Sequence, residues 1–156
     1  MTGIDHSTFT IERNLPGSPR HAFRFWSDPA LKLRWTDCHP DWTVLEERFE
    51  FRTGGAEVRR WRMADGQELA FRARYFDIEP ARRIIYAFDM SVGAAKQSVS
   101  LATVELLEAG AATRMVFTEQ LVFFGDAEAR RRRVAGTGEG FDRLAAVLEA
   151  EGAGIH

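Results

Sequence analysis

From Thr8 to Leu15 the chain reads TFTIERNL, and Phe9, Ile11 and Arg13 alternate with Thr10, Glu12 and Asn14. A period of two predicts a strand with one partly buried face. The pattern then breaks. Ser18-Pro19 and Asp28-Pro29 each set an N-cap residue before a proline suited to a first helical turn, which predicts two short helices in succession. In the first of these, Ala22, Phe23 and Trp26 share a face. From Thr43 to Phe124 the alternation returns in the runs TVLEERFEF, AEVRRWRM, ELAFRARYFDI, RRIIYAFDM, SVSLATVELL and TRMVFTEQLVFF. Gly54-Gly55, Asp65-Gly66, Glu79-Pro80, Val92-Gly93 and EAGAA (Glu108 to Ala112) separate them. Turn signals at such short intervals predict a continuous antiparallel meander rather than parallel strands joined by crossover helices.

Beyond Phe124-Gly125-Asp126, where Asp126 is a candidate N-cap, the apolar period lengthens. Ala127, Val134, Gly138, Phe141, Ala145 and Leu148 recur at steps of three, four or their multiples, with Glu139, Asp142, Arg143 and Glu149 on the other side. One long amphipathic C-terminal helix accounts for all of them. Two stretches inside it look like something else. The four arginines Arg130 to Arg133 wrap around the helix near Glu128, as a solvated surface does, rather than lining up as a nucleic-acid stripe. GTGEG is neither GxGxxG nor GxxxxGK[ST], and no strand leads into it. Each glycine inside a helix costs about 1 kcal/mol relative to alanine, so Gly136, Gly138 and Gly140 must be repaid elsewhere. Close backbone approach or a kink would do it, and so would room for a ligand between helix and sheet.

Composition narrows the class. The chain has 156 residues, 45% hydrophobic and 28% charged, enough for one globular domain spanning 1–156 with flexible ends expected at 1–7 and 152–156. A formal net charge of -2 and a pI near 6.1 give no electrostatic case for nucleic acid or an acidic membrane surface. A single cysteine, Cys38, makes an internal disulfide impossible. The opening MTGIDHSTFTIERN lacks a basic segment followed by an apolar one, and no apolar run approaches the ~20 residues of a membrane span, so a cytoplasmic protein is expected.

The succession of strand, two short helices, meander and long helix resembles the helix-grip fold of the START and birch-pollen-allergen-like superfamily. That resemblance implies an α+β fold in which a curved antiparallel sheet of about six or seven strands wraps the last helix. The motifs narrow it further. AEVRRWRMADG after Gly54-Gly55, then ARYFDIEPARRIIYAFDM, SLATVEL, TRMVFTEQ and GTGEGFDRLAAVL resemble successive blocks of the family named after the activator of the large heat-shock ATPase, its homologue-1-like domain, often called SRPBCC. The resemblance runs from about Phe9 to Leu148. It implies a range of roles, from ligand binders and relatives of polyketide cyclases to a eukaryotic co-chaperone domain, and fold alone does not choose among them. The co-chaperones carry a further N-terminal domain, which this chain is not expected to have.

Strand parity nominates the inward side chains. Leu69, Phe71, Ala73 and Tyr75 share one face, as do Ile84, Tyr86, Phe88 and Met90 on the next strand and Met115 and Phe117 on the last. Glu119 has the parity of Phe117, and a carboxylate there is costly unless hydrogen-bonded or paired. Trp61 has the parity of Glu57 and Arg59, so either that strand turns charges inward beside a tryptophan or its apolar face is reversed. Trp35 and Trp42 flank TDCHPDW and serve as a cavity lid or as anchors for the short helices. Cys38 and His39 are adjacent and poorly placed as nucleophile and base. Asp37, His39 and Asp41 alternate, but in so short a loop a solvated turn is expected and no metal site. The reading that follows is a protein binding a small hydrophobic or aromatic molecule between sheet and C-terminal helix. Its expected wall is Trp61, Phe71, Tyr75, Tyr86, Phe88, Phe117, Gly138 and Phe141, with Glu119 orienting the ligand. No catalytic residue and no cofactor are expected. The alternatives are a cyclase- or hydrolase-type enzyme using Glu119 or a tyrosine as acid-base, and an interaction module acting on a chaperone ATPase; the chain is expected to be a monomer or homodimer.

Overall fold

Both proline-led caps form. In the computed structural model, which describes residues 3–37 and 39–153, the Ser18 hydroxyl accepts from the backbone N–H of His21 at 3.2 Å and opens helix α1 (Pro19–Ser27). Asp28 ends α1 and starts α2 (Pro29–Thr36), its carboxylate accepting from the N–H groups of Ala30 and Leu31 at 2.9 and 3.1 Å. The buried stripe of α1 is Ala22, Phe25 and Trp26, not Ala22, Phe23 and Trp26. Phe23 sits at the margin of that i, i+3, i+4 stripe, half-buried with its ring 5.7 Å from Phe51.

The strands are β1 (Ile4–Pro16), β2 (Thr43–Phe49), β3 (Ala56–Arg62), β4 (Glu68–Glu79), β5 (Arg83–Val92), β6 (Ala95–Ala109) and β7 (Ala112–Phe124). They make one seven-stranded sheet in the order β1-β7-β6-β5-β4-β3-β2, antiparallel throughout. Strands β2 to β7 are the predicted meander; β1 adds to the far edge, with Phe9 opposite Glu119. A bulge between Tyr75 and Asp77 shifts the β4–β5 register by one, which keeps Ile78 opposite Ile84 on the buried face. At the β2–β3 connection a side chain on Gly55 would lie 2.1 Å from the Glu50 carbonyl oxygen, so only glycine fits. The same turn is tied to β4, since the N–H of Gly54 donates to Tyr75 O at 2.7 Å and the N–H of Tyr75 to Gly55 O at 3.0 Å.

Helix α3 (Ala127–Ala153) starts where Asp126 caps the N–H of Ala129 at 2.8 Å. Its Phe141, Leu144 and Leu148 enter a core shared with Leu15, Trp26, Val104 and Met115. Leu144, absent from the predicted face, is wholly buried, whereas Ala127 is exposed. Ion pairs fix α3 along β1, Arg13 to Asp142 at 2.8 Å and Arg130 to Asp5 at 2.9 Å. Among the described residues no helix is long and apolar enough to cross a membrane.

Candidate functional site

Helix α3 fills only part of the concave face of the sheet. Its first half, α1, α2 and the inner faces of β3, β4, β5 and β7 enclose a cleft of about 760 Å³. All four tryptophans of the chain line it: Trp26 from α1, Trp35 from α2, Trp42 from the loop before β2, and Trp61 from β3. Phe71, Tyr86, Phe88, Phe117 and Phe141 complete the aromatic wall. The rings pack on one another, Trp26 against Trp35 at 4.9 Å, Phe71 against Phe88 at 5.1 Å and Phe117 against Phe141 at 4.8 Å. Trp35 both lines the cleft and anchors α2, because its indole N–H donates to Phe25 O at 2.8 Å.

Of the residues expected to form the wall, Trp61, Phe71, Tyr86, Phe88, Phe117, Glu119 and Phe141 lie on it. Tyr75 and Gly138 do not. Tyr75 is buried one layer behind, its hydroxyl donating to Glu57 Oε1 at 2.7 Å. Gly138 turns toward β1, where a Cβ would stand 3.3 Å from Arg13 Nη2 and 3.9 Å from Ile11 Cδ1. The glycines on the cleft are its neighbours two residues away, Gly136 and Gly140. A Cβ on Gly136 would meet nothing within 4 Å, and one on Gly140 only Arg143 Nη2 at 3.6 Å. These two leave space, while Gly138 permits close packing.

Charge lies inside the wall in two clusters. Glu119, only 1% exposed, accepts from Ser100 Oγ at 2.7 Å and from Arg133 Nη2 at 2.8 Å, both on Oε2, with Arg133 Nη1 3.3 Å from Oε1. The Arg133 guanidinium also lies over the Phe88 ring at 5.4 Å. Glu57, 5% exposed, accepts from Lys32 Nζ at 2.7 Å as well as from Tyr75. Beside it Arg59 stacks on Trp61 at 4.9 Å and donates to the carbonyl and hydroxyl of Thr36 at 2.9 and 3.0 Å. Strand β3 therefore does turn its charges inward beside the tryptophan. Each buried carboxylate has a cation at contact distance, which offsets the cost of desolvating both.

Arg133 and Lys32 were not among the expected site residues. For Arg133 a signal existed: four consecutive helical residues cannot all face solvent, and the inward Glu119 needed a partner. Its three neighbours are surface residues, Arg131 paired to Glu128 at 2.6 Å, Arg130 to Asp5, and Arg132 3.8 Å from Glu128. Lys32 had no such signal.

The Tyr86 phenol faces the cleft and is pushed above its ordinary range, first by burial and then by the Glu119 and Glu57 carboxylates, with Arg133 acting the other way. Tyr75 is pushed up by burial and by Glu57. Both remain protonated donors at neutral pH. Tyr75 uses its hydrogen; the Tyr86 hydroxyl finds no hydrogen-bond partner among the described residues. The indole N–H groups of Trp26 and Trp61 and the Nε of Arg133 are likewise buried without a partner. At the cleft mouth His39 Nδ1 accepts from the N–H of Asp41 at 3.1 Å, closing a local turn. No group of three metal-ligating side chains occurs among the described residues, and Cys38 lies outside them.

Residues 16–150 match the family model described as Activator of Hsp90 ATPase homolog 1-like protein. The chain belongs to that family. Among solved structures similar to this chain is a protein from Rhizobium leguminosarum, 39% identical, covering 96% of this chain and 99% of that one with a TM-score of 0.88. The Mll3558 protein from Rhizobium loti is also 39% identical, over 92% of this chain and 98% of its own, with a TM-score of 0.84. Protein CV1439 from Chromobacterium violaceum, at 24% identity and a TM-score of 0.73 over 91% of this chain and 97% of its own, shares the fold. Among curated proteins none matches the chain.

Proposed function

We propose that the protein binds a small, mostly apolar molecule in the cleft between the sheet and the first half of α3. The observation that carries this is the convergence of every tryptophan in the chain on one cleft of about 760 Å³, a volume typical of small-molecule sites. Aromatic faces would supply affinity, and the polar side chains set among them would supply orientation. The reading gives Glu119 a structural part and not an acid-base one, because Arg133 and Ser100 already engage its carboxylate. Native mass spectrometry of freshly purified protein tests it, with tryptophan emission as a second readout. A small-molecule adduct lost on denaturation, or emission that saturates on titration with apolar aromatic compounds, is the expected result. A bare chain mass together with emission indifferent to every such compound would overturn it.

A further inference from the structure

The cations around the cleft fall into two kinds. Those inside are closed: Lys32 reaches Glu57 at 2.7 Å and Arg133 reaches Glu119 at 2.8 Å, with side chains only 13% and 10% exposed. Arg59 is buried too, held by Thr36 and 3.4 Å from Glu47. Those on α3 at the mouth are open. Arg132 is 68% exposed, and its carboxylate neighbour, Glu128 at 3.8 Å, is already engaged by Arg131 at 2.6 Å. Arg143 makes no ion pair among the described residues, yet it is not loose, since its Nε donates to the Trp35 carbonyl at 3.3 Å and leaves both Nη groups for something else. Steps of four, four and three place Arg132, Gly136, Gly140 and Arg143 on one stripe of α3, the arginines about 16 Å apart and the glycines bare between them. Two mouth carboxylates oppose them, Glu139 on the same stripe of α3, four residues before Arg143, and Asp37 at the C-cap of α2.

The polar atoms left over point the same way. Indole N–H and guanidinium Nε are donors only, so the buried, unpartnered ones of Trp26, Trp61 and Arg133 have nothing to offer an ammonium group. With the interior charges cancelled pair by pair, the interior suits an uncharged apolar body. The open arginines of the mouth suit an anionic oxygen group, which a guanidinium can meet with two parallel hydrogen bonds.

We infer that the ligand is an amphipathic acid, its apolar body among the aromatics of the cleft and its carboxylate at the mouth on the Arg132–Arg143 stripe of α3. This rests on the cleft being a binding site. The test uses three matched fluorescent probes with one pyrene body and different heads: pyrenebutyric acid, pyrenebutanol and pyrenebutylamine, titrated against the full chain at neutral pH. The acid is expected to bind about tenfold tighter than the alcohol, and the amine weaker than both. Arg143→Gln and Arg132→Gln together should remove the acid's advantage over the alcohol. Glu139→Gln, which removes an opposing carboxylate, should tighten the acid alone. An acid bound no tighter than the alcohol, or an amine bound as tightly as the acid, overturns this inference and leaves the binding reading standing. If none of the three binds, this inference falls, and the binding reading is decided by the native mass measurement.

Discussion

Along α3, Leu144 and Leu148 drive apolar side chains into the core beside Leu15, Val104 and Met115, whereas earlier in the helix Arg133, Gly136, Thr137 and Gly140 border an open cleft over the same sheet. The filled half is a matter of volume, and the side chains present are large enough to close it. The hollow half is a matter of charge and absence. Two glycines withhold side chains, and a buried ion pair joins the helix to β7 across a space that apolar residues would otherwise collapse into. A cavity in a protein this size needs such a device, because unfilled apolar volume is destabilising in itself.

The two halves should fail differently. The largest effect is expected from Arg133→Met, which leaves the buried Glu119 carboxylate with Ser100 alone and should cost about 3–5 kcal/mol in urea unfolding. Adding Glu119→Gln should recover much of that loss; a double variant no better than the single would mean the arginine acts by packing. Leu144→Ala in the filled half should cost about 2–5 kcal/mol through the cavity it creates. Because Leu144 does not line the cleft, probe affinity of the folded variant should be unchanged, and a fall would show the halves to be one unit.

Alkaline titration offers a smaller test. The chain has two tyrosines, Tyr75 and Tyr86, and both phenols are held above their ordinary range. Tyrosinate absorbance should therefore stay flat near pH 10, where free phenols ionise, and rise only with unfolding. The sign is set by the raised folded values: the folded state keeps protons that the unfolded state releases. This stabilisation is complete below about pH 10 and falls as pH rises above it, by up to roughly 1.4 kcal/mol per pH unit for each tyrosine. A normal, reversible titration of either tyrosine would contradict the burial.

The smallest effect runs in the opposite direction. Gly136→Ala and Gly140→Ala should each stabilise the protein by about 1 kcal/mol, seen as a Tm rise of about 2–4 °C, while weakening the binding of apolar probes. Gly138→Ala should bring no such gain, because its Cβ would press within 3.3 Å of Arg13, which donates to the Gly138 carbonyl. If all three behaved alike, the division of α3 between space and packing would be wrong.

Periodicity and capping carried most of the fold. Ser18, Asp28 and Asp126 cap where expected, the six runs from Thr43 to Phe124 are the six meander strands, and parity placed Tyr86, Phe88, Phe117 and Glu119 inward. These are local properties, set by the geometry of the residue and its next few neighbours. The side of α3 that meets the cleft was not local. Gly138 shares a face with Phe141 in the period, yet the packing of Phe141, Leu144 and Leu148 sets the rotation of the helix, and at 100° per residue that turns Gly136 and Gly140 to the cleft and Gly138 to β1.

The elements, their order and which strand residues face in follow from the chain read residue by residue, because helix and strand periods and cap chemistry act over a few residues. They also require partners for the inward carboxylate of Glu119 and for the charges beside Trp61. Which cations neutralise them is settled by packing. Lys32 reaches Glu57 from 25 residues away and Arg133 reaches Glu119 across the sheet–helix interface. Partners that meet through space are selected by how elements pack, and no period along the chain records which faces will come together.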